Sequence, residues 1–389
     1  MGIASIDKLI SFFEHNPVRI LEAKKAGRKV VGTYCLYSPD EIAIAAGGIP
    51  VSLCGTRDDS IPAAETELPR TICPLIKSSY GFLLNDSCPY LAAADIIIAD
   101  TTCDGKKKMF ELMGQKKRMI ILQLPHNQDS NVGLPYWTDQ FVMLADRLGK
   151  EFDTEITEEK LRDAIRLTND ERTALKRFMD VAKFTPSPIK GVQLLEVAFK
   201  AGFLPDKKAG IALLHEAAEE LENLGKQGIS PYTKDTPRIV LTGVPVGLGC
   251  HKVITLLEEC GASLVCLDTC GGYKKTNLMV DPCEGQNRQA LLAALAERYL
   301  SIPCSIMSPN PNRYTTLERL VREFSADAVL DLTWQGCHTY NVEAFSIKKY
   351  VQEQLGMPYL QLETDYSAGD TEQLRVRIEA FLEIVKAGK

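Results

Sequence analysis

The chain has 389 residues, of which 45% are hydrophobic and 25% charged, with 45 Lys and Arg against 51 Asp and Glu for a net charge of −6. That profile belongs to a globular protein and excludes a disordered, fibrous or strongly basic nucleic-acid-binding chain. At roughly 100–200 residues per domain the length predicts two or three domains, each able to bury a core. The longest apolar stretches, such as Ile96–Ala99 and Met119–Leu122, fall far short of the ~20 residues that span a bilayer.

Between Met1 and Ile20, acidic and basic residues interrupt any apolar h-region, so a reducing cytoplasmic location is expected. Short β-rich apolar runs then alternate with helical spacing. Strands are predicted at Lys29–Thr33, Ile49–Leu53, Asp95–Asp100 and Arg118–Leu124, with helices at Pro39–Gly47, Leu75–Leu84 and Gly105–Gly114. Such βαβ repetition forces a parallel sheet covered by helices. From Thr154 to Gly228 the apolar β-runs vanish and helical charge patterning takes over, in Glu158–Arg177 and Ile211–Leu224. After Pro237 the first pattern returns. Strands are predicted at Arg238–Thr242, Ser263–Leu267, Asp327–Leu332 and Pro358–Leu362, and helices at Lys252–Glu259, Gln289–Tyr299, Thr315–Phe324, Val342–Gln354 and Glu372–Ala387. The expected fold class is α/β: two Rossmann-like, flavodoxin-like parallel-sheet domains, 1–150 and 233–389, joined by a helical connector over 151–232. No sequence repeat relates the two halves.

Twelve cysteines, at 35, 54, 73, 88, 103, 250, 260, 266, 270, 283, 304 and 337, need a reason other than disulfides in a reducing compartment. Ligands of open α/β sheets bind beyond the carboxyl ends of the strands. Cys35, Cys103, Cys270 and Cys337 each follow a predicted strand, and Cys73 and Cys304 lie in Pro-flanked loops. A crevice between two such domains would therefore receive three thiols from each half. Cys260 and Cys266 fit packing roles, and Cys54, Cys88, Cys250 and Cys283 fit packing or support of a neighbouring ligand better than ligation. Close Cys-x₂₋₄-Cys zinc knuckles and ferredoxin-type runs are both lacking. Single soft thiolates scattered over a fold suit an iron–sulfur centre.

Other motifs are weaker. Gly247-Leu-Gly249-Cys-His-Lys252 imitates the start of a dinucleotide fingerprint, but Lys252 replaces the third glycine, and a tight structural turn fits better. No P-loop occurs, so nucleotide energy would have to come from elsewhere. Lys106-Lys107-Lys108 stands at a helix start, unfavourable for cations, and reads equally as a solvated face or a docking or anion-binding patch. His338 is the single histidine beside a candidate ligand, Cys337.

Several strings carry a family resemblance. Gly32-Thr-Tyr-Cys35, Ile72-Cys73-Pro-Leu-Ile-Lys77-Ser-Ser-Tyr80-Gly, Thr101-Thr-Cys103-Asp-Gly-Lys-Lys-Lys108, Pro303-Cys304-Ser and Cys337-His-Thr-Tyr340 resemble the 2-hydroxyacyl-CoA dehydratase component family, and more closely its double-cubane cluster protein branch. Dehydratase components hold a [4Fe-4S] cluster on three cysteines and take one low-potential electron from a separate ATP-hydrolysing [4Fe-4S] activator. The double-cubane branch carries an [8Fe-9S] cluster on six. The resemblance implies Cys35, Cys73 and Cys337 as the dehydratase-type ligands, with Cys103, Cys270 and Cys304 completing a second cubane. Cys270 could exchange roles with Cys266 or Cys283. His338, Tyr340 and Lys77 are candidate proton donors or supporting groups. The resemblance further implies an anaerobic, homodimeric reductase acting on a small substrate, with no nucleic acid or membrane as partner. The rival expectation is a single-cubane subunit of a 2-hydroxyacyl-CoA dehydratase.

Overall fold

The computed structural model describes residues 2–128, 131–283 and 285–388. It contains two four-stranded sheets, all of whose strand pairings are parallel. The first holds β1 (Val30–Tyr34), β2 (Ile49–Leu53), β3 (Ile96–Asp100) and β4 (Met119–Leu122) in the order β2-β1-β3-β4. The second holds β5 (Arg238–Gly243), β6 (Ser263–Asp268), β7 (Ala328–Trp334) and β8 (Tyr359–Thr364) in the order β6-β5-β7-β8. The two orders are the same once each sheet is counted from its own first strand. In both, the chain reverses direction across the sheet between the first and third strands, and that switch point opens a crevice at the carboxyl ends.

Every residue of β1, β3, β5, β6 and β7 is buried, as expected of parallel strands sandwiched between helices. β4 and β8, at the sheet edges, are covered only in part. Predicted strand ends agree with those observed to within two residues. β7 runs on to Trp334 because that indole is fully buried and donates Nε1–H to the carbonyl of Pro245 at 3.0 Å.

Between β4 and β5 the chain is helical, through Gly133–Glu151, Glu158–Asp180, Gly191–Lys200 and Lys207–Lys226. Thr157 and Asp206 cap two of these helices, accepting hydrogen bonds from the amides of Lys160 and Ala209. The N-terminal helix Ala4–Glu14 packs on Lys207–Lys226, where Glu220 accepts from the Ser5 amide at 2.9 Å and Lys8 pairs with Glu216 at 2.7 Å.

The halves meet through specific close approaches. Thr56 donates to the Leu248 carbonyl (2.8 Å), Tyr37 to that of Ile302 (3.0 Å) and Tyr366 to that of Gly55 (3.0 Å). Gly247 and Gly249 belong to this seam. A Cβ on Gly247 would sit 2.4 Å from the Phe199 ring, and one on Gly249 2.8 Å from the Thr56 carbonyl oxygen, with Gly249 already at φ +100°. The glycine-rich turn thus serves interdomain contact, and Lys252 behind it is tied to Ser367 and Asp370.

A buried network joins both halves to the connector. Glu41, on the helix Asp40–Ala45, accepts from Arg172, from Thr168 at 2.8 Å and from Tyr299 at 2.8 Å. Burial pushes its carboxyl up, but Arg172 and Arg298 outweigh this and hold it at about 2.

Candidate functional site

Beyond the carboxyl ends of both sheets lies an open cavity of about 660 Å³, and all six cysteines singled out by position line it: Cys35, Cys73, Cys103, Cys270, Cys304 and Cys337. Four of them arrive by two local devices. Cys35 follows β1 directly and takes φ +76°, a left-handed conformation uncommon outside glycine, which turns the chain back towards the crevice. Cys73, Cys103 and Cys337 are the residues immediately before the helices Pro74–Asn85, Asp104–Met113 and His338–Glu353. Cys73 and Cys337 therefore stand where helix dipoles present their positive ends, the place that favours a thiolate. Amides of Leu75 and Ile76 donate to Cys73, that of Tyr340 to Cys337 and that of Ile306 to Cys304, each favouring the anionic sulfur.

Burial works the other way. It pushes the thiols of Cys35 and Cys304 up and that of Cys270 up to about 12. Cys73 and Cys337 face each other: a hydrogen bond between them raises Cys73 and lowers Cys337 to about 7. Across the two halves, one sulfur of the pair is held ready to lose its proton.

Cations offset the crowding of sulfur. Burial disfavours charge on Lys106, but Cys35, Cys54, Asp100 and Cys103 outweigh it and hold the ammonium protonated. Its neighbours Lys107 and Lys108 turn outwards to Asp104 and Glu111, so the triple lysine divides into one inward cation and a solvated pair. Lys274, 1% exposed, donates to Tyr340 Oη at 3.0 Å and to the Gly243 carbonyl at 3.1 Å, and the Tyr340 hydroxyl lies 3.9 Å from Cys304 Sγ. Asp100, buried at the end of β3, is pushed up to about 7 by burial and keeps one oxygen without a hydrogen-bond partner.

Of the non-cysteine candidates, His338 stands at the rim and Tyr340 is buried in the wall. Lys77 does not line the cavity. Its ammonium is engaged by Glu65 at 2.8 Å and the Arg70 carbonyl at 3.0 Å. Cys266 is buried inside β6, and Cys283 sits in a loop away from the cavity, which leaves Cys270 as the thiol that faces it from this region. Position in the sequence did not reveal Lys274 or the inward turn of Lys106, because a lysine in a Lys-Lys pair reads as surface.

Among the described residues no three His, Cys, Asp or Glu side chains converge tightly enough to grip a single metal ion, and every cysteine is a free thiol. Six thiols spread around the walls of one volume, with amides donating to three of them and the Lys106 ammonium on the same wall, are a donor set that fits a polynuclear iron–sulfur core.

The sequence as a whole matches the family model for the 2-hydroxyglutaryl-CoA dehydratase D-component over residues 35–385. The chain belongs to that family. Relatives extend along nearly its full length: the putative dehydratase subunit YjiM of Escherichia coli (strain K12) is 40% identical over 94% of both chains. The (R)-phenyllactyl-CoA dehydratase beta subunit of Clostridium sporogenes is 24% identical over 98% of this chain and 100% of its own. A benzoyl-CoA reductase component of Thauera aromatica is 22% identical over 89% of this chain and 86% of its own. The family is one of dehydratase and reductase subunits, and this chain is an enzyme component of that kind. No helix among the described residues is long and apolar enough to cross a membrane.

Proposed function

We propose that this chain is an iron–sulfur reductase component carrying a double-cubane [8Fe-9S] cluster on Cys35, Cys73, Cys103, Cys270, Cys304 and Cys337. The observation that carries the reading is that all six thiols, three from each half, line one cavity at the two switch points. A single [4Fe-4S] cubane on three cysteines would leave three of them without a task. When bound, such a cluster supplies low-potential single electrons to a small substrate. The chain's own part would be to set Lys106 on the cavity wall and Lys274 behind Tyr340, keep water from the buried sulfurs, and lower charge repulsion through the helix starts. With no P-loop in the chain, the electrons would come from an ATP-hydrolysing [4Fe-4S] activator, and the protein would work as a cytoplasmic homodimer under anaerobic conditions. Tyr340, bonded to the Lys274 ammonium, is placed to deliver a proton beside Cys304.

A second reading, a single-cubane subunit of a 2-hydroxyacyl-CoA dehydratase, is favoured by the names of the relatives. Iron and acid-labile sulfide on anaerobically purified protein separate the two. About eight irons and nine sulfides per chain are expected for the double cubane, and about four irons would transfer the case to the dehydratase. Absence of iron after strict anaerobic work would defeat both.

A further inference from the structure

A second chamber, of about 120 Å³, shares Cys35, Lys106, Pro245 and Cys270 with the cysteine cavity and extends from it towards the connector helices. Much of its wall is apolar, with Phe199 and Phe203 on one side and Leu36 and Leu53 on another. Into that wall the fold places the Arg298 guanidinium, which lies over the Tyr299 ring at 4.5 Å and shares the buried Glu41 carboxylate with Arg172 without an ion pair of its own. Arg298 is 5% exposed, and it donates only to carbonyls, those of Leu278 at 3.2 Å and Lys275. No carboxylate of the described residues lies within ion-pair distance of it. The nearest buried carboxylate, Glu41, is already bonded to Arg172, so one carboxylate serves two guanidiniums. Beside Arg298, the ammonium of Lys275 also lines the chamber, as do the carboxylates of Asp40 and Glu171, and it makes no hydrogen bond or ion pair among the described residues. Glu171 is itself committed to Lys207 at 2.7 Å.

Two buried guanidiniums on one carboxylate, with the Lys275 ammonium beside them, leave an excess of positive charge in a largely apolar wall, which an anionic ligand would offset. Arginine in particular presents a fork that matches a carboxylate. We propose that this chamber binds a short organic acid, its carboxylate received by Arg298 and Lys275 and its apolar chain against Phe199 and Phe203. The site opens towards Cys35 and Cys270, so the far end of the acid points to the centre that the proposed function places there. As an assignment of substrate class it rests on that reading, whereas the binding itself does not.

The test is isothermal titration calorimetry of the anaerobically purified full chain with butyrate, and with butyramide as its neutral isostere. Butyrate is expected to bind and butyramide to bind at least about tenfold more weakly, since a hydrogen bond to a charged group contributes about 1.5–3 kcal/mol. Arg298→Gln and Lys275→Gln should each weaken butyrate by a similar factor. Lys275 is half-buried, so its variant decides the matter if the arginine variant does not fold. Equal binding of butyrate and butyramide, no binding of butyrate, or undiminished binding by folded variants would overturn the proposal. Iron measured on the same sample keeps the two readings apart. Iron-free chain that binds butyrate supports the chamber while sinking the cluster, and iron-loaded chain that ignores butyrate sinks the chamber alone.

Discussion

A sulfur just ahead of a helix's first turn gains from the dipole and from free amides, so its replacement removes more than a donor atom. Cys337 is the sharpest case, because its thiol is the one held low, by its bond from Cys73 and by the Tyr340 amide. Cys337→Ser is expected to lower iron per chain and abolish electron transfer, while Cys260→Ser, at the end of the helix Lys252–Glu259 and outside the cavity, should leave iron content at the wild-type level. Unchanged iron in the first variant would remove Cys337 from the ligand set. At this scale much of the site was legible: a cysteine directly after a β-run lies at the carboxyl edge of a sheet whatever the tertiary detail. Direction was not legible. Lys77 and Lys274 look alike in sequence, yet the first is paired with Glu65 outside the cavity and the second is buried against Tyr340, a choice made by tertiary packing within each half.

At the scale of elements, strands could be read closely because parallel β-runs are continuously apolar and short. The helix Gly133–Glu151 escaped. It opens on Gly133-Leu-Pro-Tyr, and its buried residues, from Trp137 to Leu148, are separated by acids and bases that dilute the pattern. Asp40–Ala45 was found, but not its role: Glu41, which looks like a surface acid, is 0% exposed. Its carboxyl is held well below the usual range, so the Glu41–Arg172 bond contributes stability that is present above the ordinary glutamate range of about 4.3 and is lost as pH falls from there towards about 2. Glu41→Gln leaves Arg172 and Arg298 without their shared anion and should cost about 3–5 kcal/mol at neutral pH. Thermal unfolding measured from pH 7 to pH 3 should show the wild type losing its advantage over the variant on acidification. A constant difference across that range would mean that the pair is not what the acid breaks.

For the whole molecule, the repeated strand order gives each half the same kind of crevice, and the two crevices face one another with three thiols apiece. The seam is closed independently of those thiols, by Thr56 on Leu248, Tyr37 on Ile302, Tyr366 on Gly55 and the Glu41 network. Both halves should accordingly stay folded and joined when no cluster is present. What a cluster adds is a covalent tie between loops that otherwise meet only by packing and weak hydrogen bonds, as where Gly336 lies against Thr71 and Cys73: 71–73 and 101–103 on one side, 303–305 and 335–337 on the other. A ligand bound only by the native state stabilises it in proportion to its affinity, and one held by both halves protects the loops it bridges more than the strands behind them. Removing iron under air and then measuring hydrogen exchange should therefore raise exchange in those four loops and lower the melting temperature, with β1, β3, β5 and β7 still protected. Loss of protection in the strands as well would show that the cluster is required for the fold itself, and unchanged exchange in the loops would show that the thiols do not share one.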